Sequence, residues 1–245
     1  MRPARITAAV LALAGFAAAC SSGSSPTQGS PGGASASQTA AAGRDVTEAL
    51  AGARNIRAVH YVLVTPLESG GVRRTVGDVG LTTGRQTITT PGGGQLLTLV
   101  INGRAYFRGN LTGLMAAGMA SAAAKEVSGQ WRFVPSGSAI YSSVVDQVTL
   151  GSVLSYITPR PPLAEDQPTR RAGEQVIGIR GGKPVALTRD AKAGGESVLY
   201  ISTTTHLPVE YDYTATGATT PEVWHFSNWG KAVRVTPPPV DSTTP

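Results

Sequence analysis

Asn102-Gly103 stands between two short runs, 95–101 and 105–108, that are rich in apolar residues. A two-residue loop of this composition favours a type I′ turn, whose positive φ angles match the twist of two antiparallel strands. Tight antiparallel hairpins are therefore built into the chain. Other runs enriched in β-branched or aromatic residues stand at 58–65, 72–79, 85–90, 173–179, 184–189, 197–202, 207–213, 222–227 and 232–236, most of them bounded by Gly, Pro or Asn. The 173–179 and 184–189 runs are expected to pair around Gly181-Gly182. Residues 197–202 and 207–213 form a further expected hairpin. In residues 58–65 both alternating sets, Val59/Tyr61/Leu63 and His60/Val62/Val64, are largely apolar, so both faces of that strand are expected to be covered.

Helical periodicity interrupts this pattern three times. Asp45-Val-Thr-Glu48 reads as a helix start, followed by Val46, Ala49, Leu50 and Ala53 on one face. Asn110 caps a run from Leu111 to Lys125 with Leu111, Leu114, Met115, Met119 and Ala122 at helical spacing, weakened by Gly113 and Gly118. Thr149 caps a third helix carrying Leu150, Val153, Leu154 and Ile157. A short strand is expected at 129–135 with Trp131 and Phe133 on one side, and a Pro-rich connection at 160–168. Eleven or twelve short strands with three short helices make the class α+β, mostly β.

Cys20, the single cysteine of the 245 residues, ends an apolar leader. Arg2 and Arg5 form a basic start, residues 6–16 an apolar stretch, and Ala17-Ala18-Ala19 the small residues a peptidase requires. The apolar stretch is too short for about 30 Å of hydrocarbon. Small residues ending on Cys match a bacterial lipobox, with Ala at position 17 where Leu is usual. Cys20 is accordingly expected to carry a diacylglyceryl group, with palmitate-like chains, that anchors the protein on the extracytoplasmic face of the cell membrane. Cleavage after Ala19 by the general signal peptidase, leaving a free thiol, is the alternative. Residues 1–19 are thus read as a lipoprotein signal peptide and 20–44 as a Gly/Ser/Ala/Pro-rich flexible tether. Residues 45–238 form one domain, and 239–245 a disordered tail.

The chemistry search is negative. No Gly-x-Ser-x-Gly, His-Glu-x-x-His or Ser-x-x-Lys pattern occurs, and Gly181-Gly-Lys183 lacks the first glycine of a phosphate loop. His60, His206 and His225 are dispersed and ask for no metal, and Asp190, Glu210 and Asp212 read as strand-face charges. Asn110-Leu-Thr112 is a coincidental glycosylation sequon, and Trp224, Phe226 and Trp229 are expected to close the core. Net charge is +6, or +4 once Arg2 and Arg5 leave with the leader, and no basic stripe interleaved with aromatics appears. Neither an enzyme, a metal or cofactor site, nor a nucleic-acid partner is expected.

Several segments together resemble a known group: Ile101-Asn-Gly-Arg-Ala-Tyr-Phe-Arg108, Gly129-Gln-Trp-Arg-Phe133, Thr205-His-Leu-Pro-Val209 and Phe226-Ser-Asn-Trp-Gly-Lys-Ala-Val-Arg-Val235. They follow a lipobox and a Gly/Ser stalk, an order similar to that of the actinobacterial lipoproteins of the LppX/LprG group and, more distantly, the LolA/LolB lipoprotein carriers. The resemblance covers residues 45–238. It implies a curved antiparallel sheet, an incomplete β-barrel, with helices on its concave face and an apolar cavity that holds the acyl chains of a lipid or glycolipid. The residues expected to line that cavity are Leu97, Leu99 and Ile101 on one strand, with Leu114, Met115, Met119, Val153, Leu154 and Ile157 on the helices. The expected partners are that lipid, the membrane, and a transporter or envelope protein. A tethered protein-interaction or envelope-stress sensing module with a filled core is the second reading.

Overall fold

The structure, a computed structural model, describes residues 36–138, 140–182 and 194–239. The leader, Cys20, the first part of the tether, the expected strand at 184–189 and Asp190 lie outside the described residues. So does residue 240 onward.

Helix α1 (Ala36–Ile56) leads into strands β1 (Ala58–Pro66), β2 (Val72–Gly80), β3 (Thr83–Thr90), β4 (Gly94–Ile101) and β5 (Arg104–Gly109). Short helices α2 (Leu111–Ala116) and α3 (Ser121–Val127), strand β6 (Arg132–Val134), and helices α4 (Tyr141–Val145) and α5 (Leu150–Tyr156) follow. The chain ends in β7 (Arg160–Glu165), β8 (Thr169–Arg171), β9 (Glu174–Gly182), β10 (Gly195–Ser202), β11 (Pro208–Ala215) and β12 (Glu222–Ser227). The strands form one antiparallel sheet in the order β6-β5-β4-β3-β2-β1-β12-β11-β10-β9-β7, with β8 also on β9. It is two meanders laid side by side, joined where the first strand pairs with the last, Tyr61 opposite Phe226 and Leu63 opposite Trp224. The sheet is curved and unclosed, with β6 and β7 at its two ends.

The hairpin at Asn102-Gly103 forms as its composition requires, with φ of 50° and 78°. Its register sets Ile101 against Arg104, Leu99 against Tyr106 and Leu97 against Arg108. Thr149 caps α5 through a reciprocal bond with Ser152. In contrast, α1 begins at Ala36 rather than Asp45, so residues 36–44 of the expected tether are helical and Ala42 is buried. Alanine is the strongest helix former, and Ala42 packs without needing a large side chain. The expected single helix over 111–125 is two. Gly118, at φ 91°, closes α2 in a Schellman motif, with Met119 N–H donating to Leu114 O (3.1 Å) and Gly118 N–H to Met115 O (2.9 Å).

The second half departs further from expectation. The Pro-rich connection forms edge strand β7, with a register break between Arg160 and Ala164 around the prolines. Strand β9 runs straight through Gly181-Gly182 and pairs with β10 (Gly182 opposite Glu196), so no turn forms there. Residues 232–236 form no strand. Helix α4 and strand β8 carried no sequence signal.

The main core lies under α1 and α5, where Val153, Leu154 and Ile157 meet Leu63, Ile179, Leu199, Tyr211 and Trp224. Tyr61 and Tyr156 each lie 5.0 Å from the Trp224 ring, and Phe226 sits 6.0 Å from Trp229, so the three aromatics at the end of the sequence do close the core. Fully burying a side chain of the Trp224 class removes 150–250 Å² from water, worth about 4–6 kcal/mol as an upper estimate. Gly77 is required in β2 because the Tyr61 ring lies across it and a Cβ would collide with that ring.

Candidate ligand cavity

The other half of the same sheet face is roofed differently. Successive inner residues follow the register: Gly84, Gln86 and Ile88 on β3 face Val100, Thr98 and Leu96 on β4, and Thr98 and Val100 face Phe107 and Ala105 on β5. Helix α2 crosses this face, held by Asn110. The Asn110 Oδ1 atom accepts from Gly113 N–H (2.8 Å) and from Gln95 N–H (3.0 Å), while Nδ2 donates to Gly93 O (2.8 Å). Gly113 lets α2 press onto β4, where any Cβ would collide with the backbone of Gln95.

Between α2, α4 and strands β3–β5 lies a cavity of about 340 Å³ lined by Ile88, Leu96, Phe107, Leu114, Met119, Ile140 and Val144 together with Gln86 and Thr98. That volume is at the small end of the range in which drug-sized ligands bind, about 300–1,000 Å³. Its floor is deep, since Gln86 is 5% and Thr98 4% exposed. Its mouth opens past Ala117 and Gly118 to Ile140, which is 52% exposed. No lining side chain carries a charge.

The residues expected to line a cavity separate into three groups. Leu114 and Met119 do line it, and the Schellman closure that folds Met119 back onto Leu114 builds that wall. Met115, on the same helix, points away and is 46% exposed. Val153, Leu154 and Ile157 are wholly buried in the aromatic core and line no opening. Leu97, Leu99 and Ile101 belong to the opposite sheet face from Leu96, Thr98 and Val100, opposite Arg108, Tyr106 and Arg104, so they cannot share a cavity with α2. Gln86, Ile88, Leu96, Thr98, Phe107, Ile140 and Val144 were not expected. The hairpin register would have revealed Leu96, Thr98 and Phe107, because two arginines on β5 oppose Leu97 and Ile101 and mark that set as outward.

The outer face carries the titratable groups. Asp78 binds His60 Nδ1 (2.7 Å) and Arg85 (2.7 Å); burial alone would raise its pKa, but these partners pull it below the ordinary carboxylate value. Glu210, nearly buried, sits 2.9 Å from His225 and 3.5 Å from Arg171, whose guanidinium lies 4.5 Å from the centre of the Tyr200 ring. Next to it, burial and then the Glu210 charge push Asp212 up to about 6. His206 sits exposed in the β10–β11 turn at φ 56°. Among the described residues no group of three His, Cys, Asp or Glu could hold a metal ion, and no helix is long and apolar enough to cross a membrane.

The chain is an open antiparallel sheet with short helices across one face, an α+β fold that is mostly β. Among solved structures the chain has the fold of LprF from Mycobacterium bovis, at 14% identity and a TM-score of 0.52, covering 82% of this chain and 98% of that one. Looser likenesses are to MucB (15% identity, 79% of this chain and 61% of that one, TM-score 0.43) and to a LolA superfamily protein from Nitrosomonas europaea (10% identity, 75% and 91%, TM-score 0.27). No family model and no curated protein sequence matches the chain.

Proposed function

We propose that this protein is a membrane-tethered lipoprotein that binds or shuttles a lipid by enclosing an acyl chain in the cavity between α2, α4 and strands β3–β5. The observation that carries the reading is the mainly apolar opening itself, walled by Ile88, Leu96, Phe107, Leu114, Met119 and Val144. The fold shared with LprF and the lipobox ending at Cys20 are consistent with it. Two acyl chains on Cys20 would hold the body at the bilayer, where one would not. The tether would let the cavity mouth reach the lipid surface.

Burying ten methylenes is worth about 8 kcal/mol. Several kcal/mol of that are offset by the freedom the ligand loses, so binding stays reversible, as a carrier requires. Native mass spectrometry with solvent extraction, on the full chain purified from an actinobacterial host, tests this. A discrete lipid mass released on extraction is expected. Lipid-free protein that also fails to bind a fluorescent acyl probe would sink the proposal and favour a tethered protein-interaction or envelope-stress module.

A further inference from the structure

The floor of the cavity is polar, and this points to the ligand. Tyr61 Oη lies 2.8 Å from the Gln147 carbonyl oxygen and 3.1 Å from Gln86 Oε1, yet it has one hydrogen to give. The backbone carbonyl of Gln147 can only accept. The Gln86 amide can turn over, so that its NH₂ donates to the Tyr61 oxygen and its carbonyl faces the cavity that Gln86 lines. Thr98 stands directly across from Gln86 on β4, equally buried, and its hydroxyl lines the same cavity. Among the described residues, neither the Thr98 hydroxyl nor the second end of the Gln86 amide has a hydrogen-bond partner. An acyl chain entering methyl-first would strip water from both groups and give nothing back.

Two further observations narrow the ligand. No Lys, Arg or His lines the cavity, so a buried carboxylate or phosphate would have no counter-charge. At about 340 Å³ the cavity lies at the small end of the ligand-binding range, which matches a single chain better than two.

Resting on the reading of this cavity as a lipid site, we propose that it selects a single-chain, uncharged amphiphile, a long-chain alcohol or a monoacyl ester or amide. The polar group lies at the floor between Gln86 and Thr98, and the chain leaves past Met119 and Ile140.

The test is displacement of N-phenyl-1-naphthylamine, an uncharged apolar dye, from the full chain by 1-dodecanol, n-dodecane, dodecanoate at pH 8 and dioleoylphosphatidylcholine. Dodecanol is expected to displace the dye at about tenfold lower concentration than dodecane or dodecanoate, the effect of roughly one hydrogen bond. The diacyl lipid is expected to compete poorly. Gln86→Leu should abolish the preference for dodecanol over dodecane, read as the ratio of their displacement concentrations within the variant itself, and the isosteric Thr98→Val makes the same test should the first variant not fold. Equal displacement by dodecane and dodecanol, stronger displacement by dodecanoate, or full competition by the diacyl lipid would each overturn this inference while leaving lipid binding intact. Failure of the dye and every competitor to bind would overturn lipid binding as well.

Discussion

One sheet face is finished in two ways. Toward β7–β12 it is covered by the 21-residue α1 and by α5, whose Leu150, Val153, Leu154 and Ile157 are fully buried against Tyr61, Tyr211 and Trp224. Toward β3–β5 it is covered by α2, α3 and α4, three separate helices none longer than 7 residues. The long α1, packing through Val46, Leu50 and three alanines, and the large side chains of α5 together fill the concavity. Short helices, broken at Gly118, leave a void whose walls are mainly core-type residues above the polar floor of Gln86 and Thr98. The contrast locates the cavity in the choice of roof, since both halves present the same alternation of inward side chains.

The largest effect that could break this comparison is in the filled half. Trp224→Ala should destabilise the protein by about 3–5 kcal/mol in urea unfolding, whereas Phe107→Ala, in a wall already bordering a void, should cost distinctly less. Equal losses would mean that the two halves are packed alike. Next, Asn110→Ala should cost about 1–2 kcal/mol and weaken dye binding, since it releases three hydrogen bonds that hold α2 over β4.

A smaller effect belongs to the outer face of the filled half. The folded pKa of Asp212 is raised above its unfolded value, so in the window between the ordinary carboxylate value and about 6 the folded state holds the proton more firmly. Its contribution to stability therefore falls as pH rises through that window. Asp212→Asn should flatten that part of a stability–pH profile, and an unchanged slope would place the titration elsewhere. Smallest of all, Ile140→Ser should leave stability within about 0.5 kcal/mol, because the side chain is half exposed, yet reduce acyl-probe affinity several-fold.

The sequence disclosed most strands because β-branched runs broken by Gly, Pro and Asn are local signals. The Asn102-Gly103 turn, the Asn110 and Thr149 caps and the aromatic closure at Trp224, Phe226 and Trp229 formed as read. Strand β7 escaped because its Pro161 and Pro162 are tolerated only at a sheet edge, a position fixed by long-range pairing. The site was half legible. On β4 both alternating sets, Leu97/Leu99/Ile101 and Leu96/Thr98/Val100, are mostly apolar, so periodicity alone cannot say which faces the helices. Val153, Leu154 and Ile157 satisfy the helical pattern equally well as core or as cavity wall, and only the roof above them decides.

Photolabelling with a long-chain alcohol that carries a diazirine on its chain, followed by peptide mapping, tests the central claim most directly. The account predicts label on Leu96, Leu114, Met119, Ile140 and their neighbours in the cavity wall, competed away by unlabelled dodecanol. Specific label on α5, or on Leu97, Leu99 and Ile101 of the outer face, or no competable label at all, would contradict it.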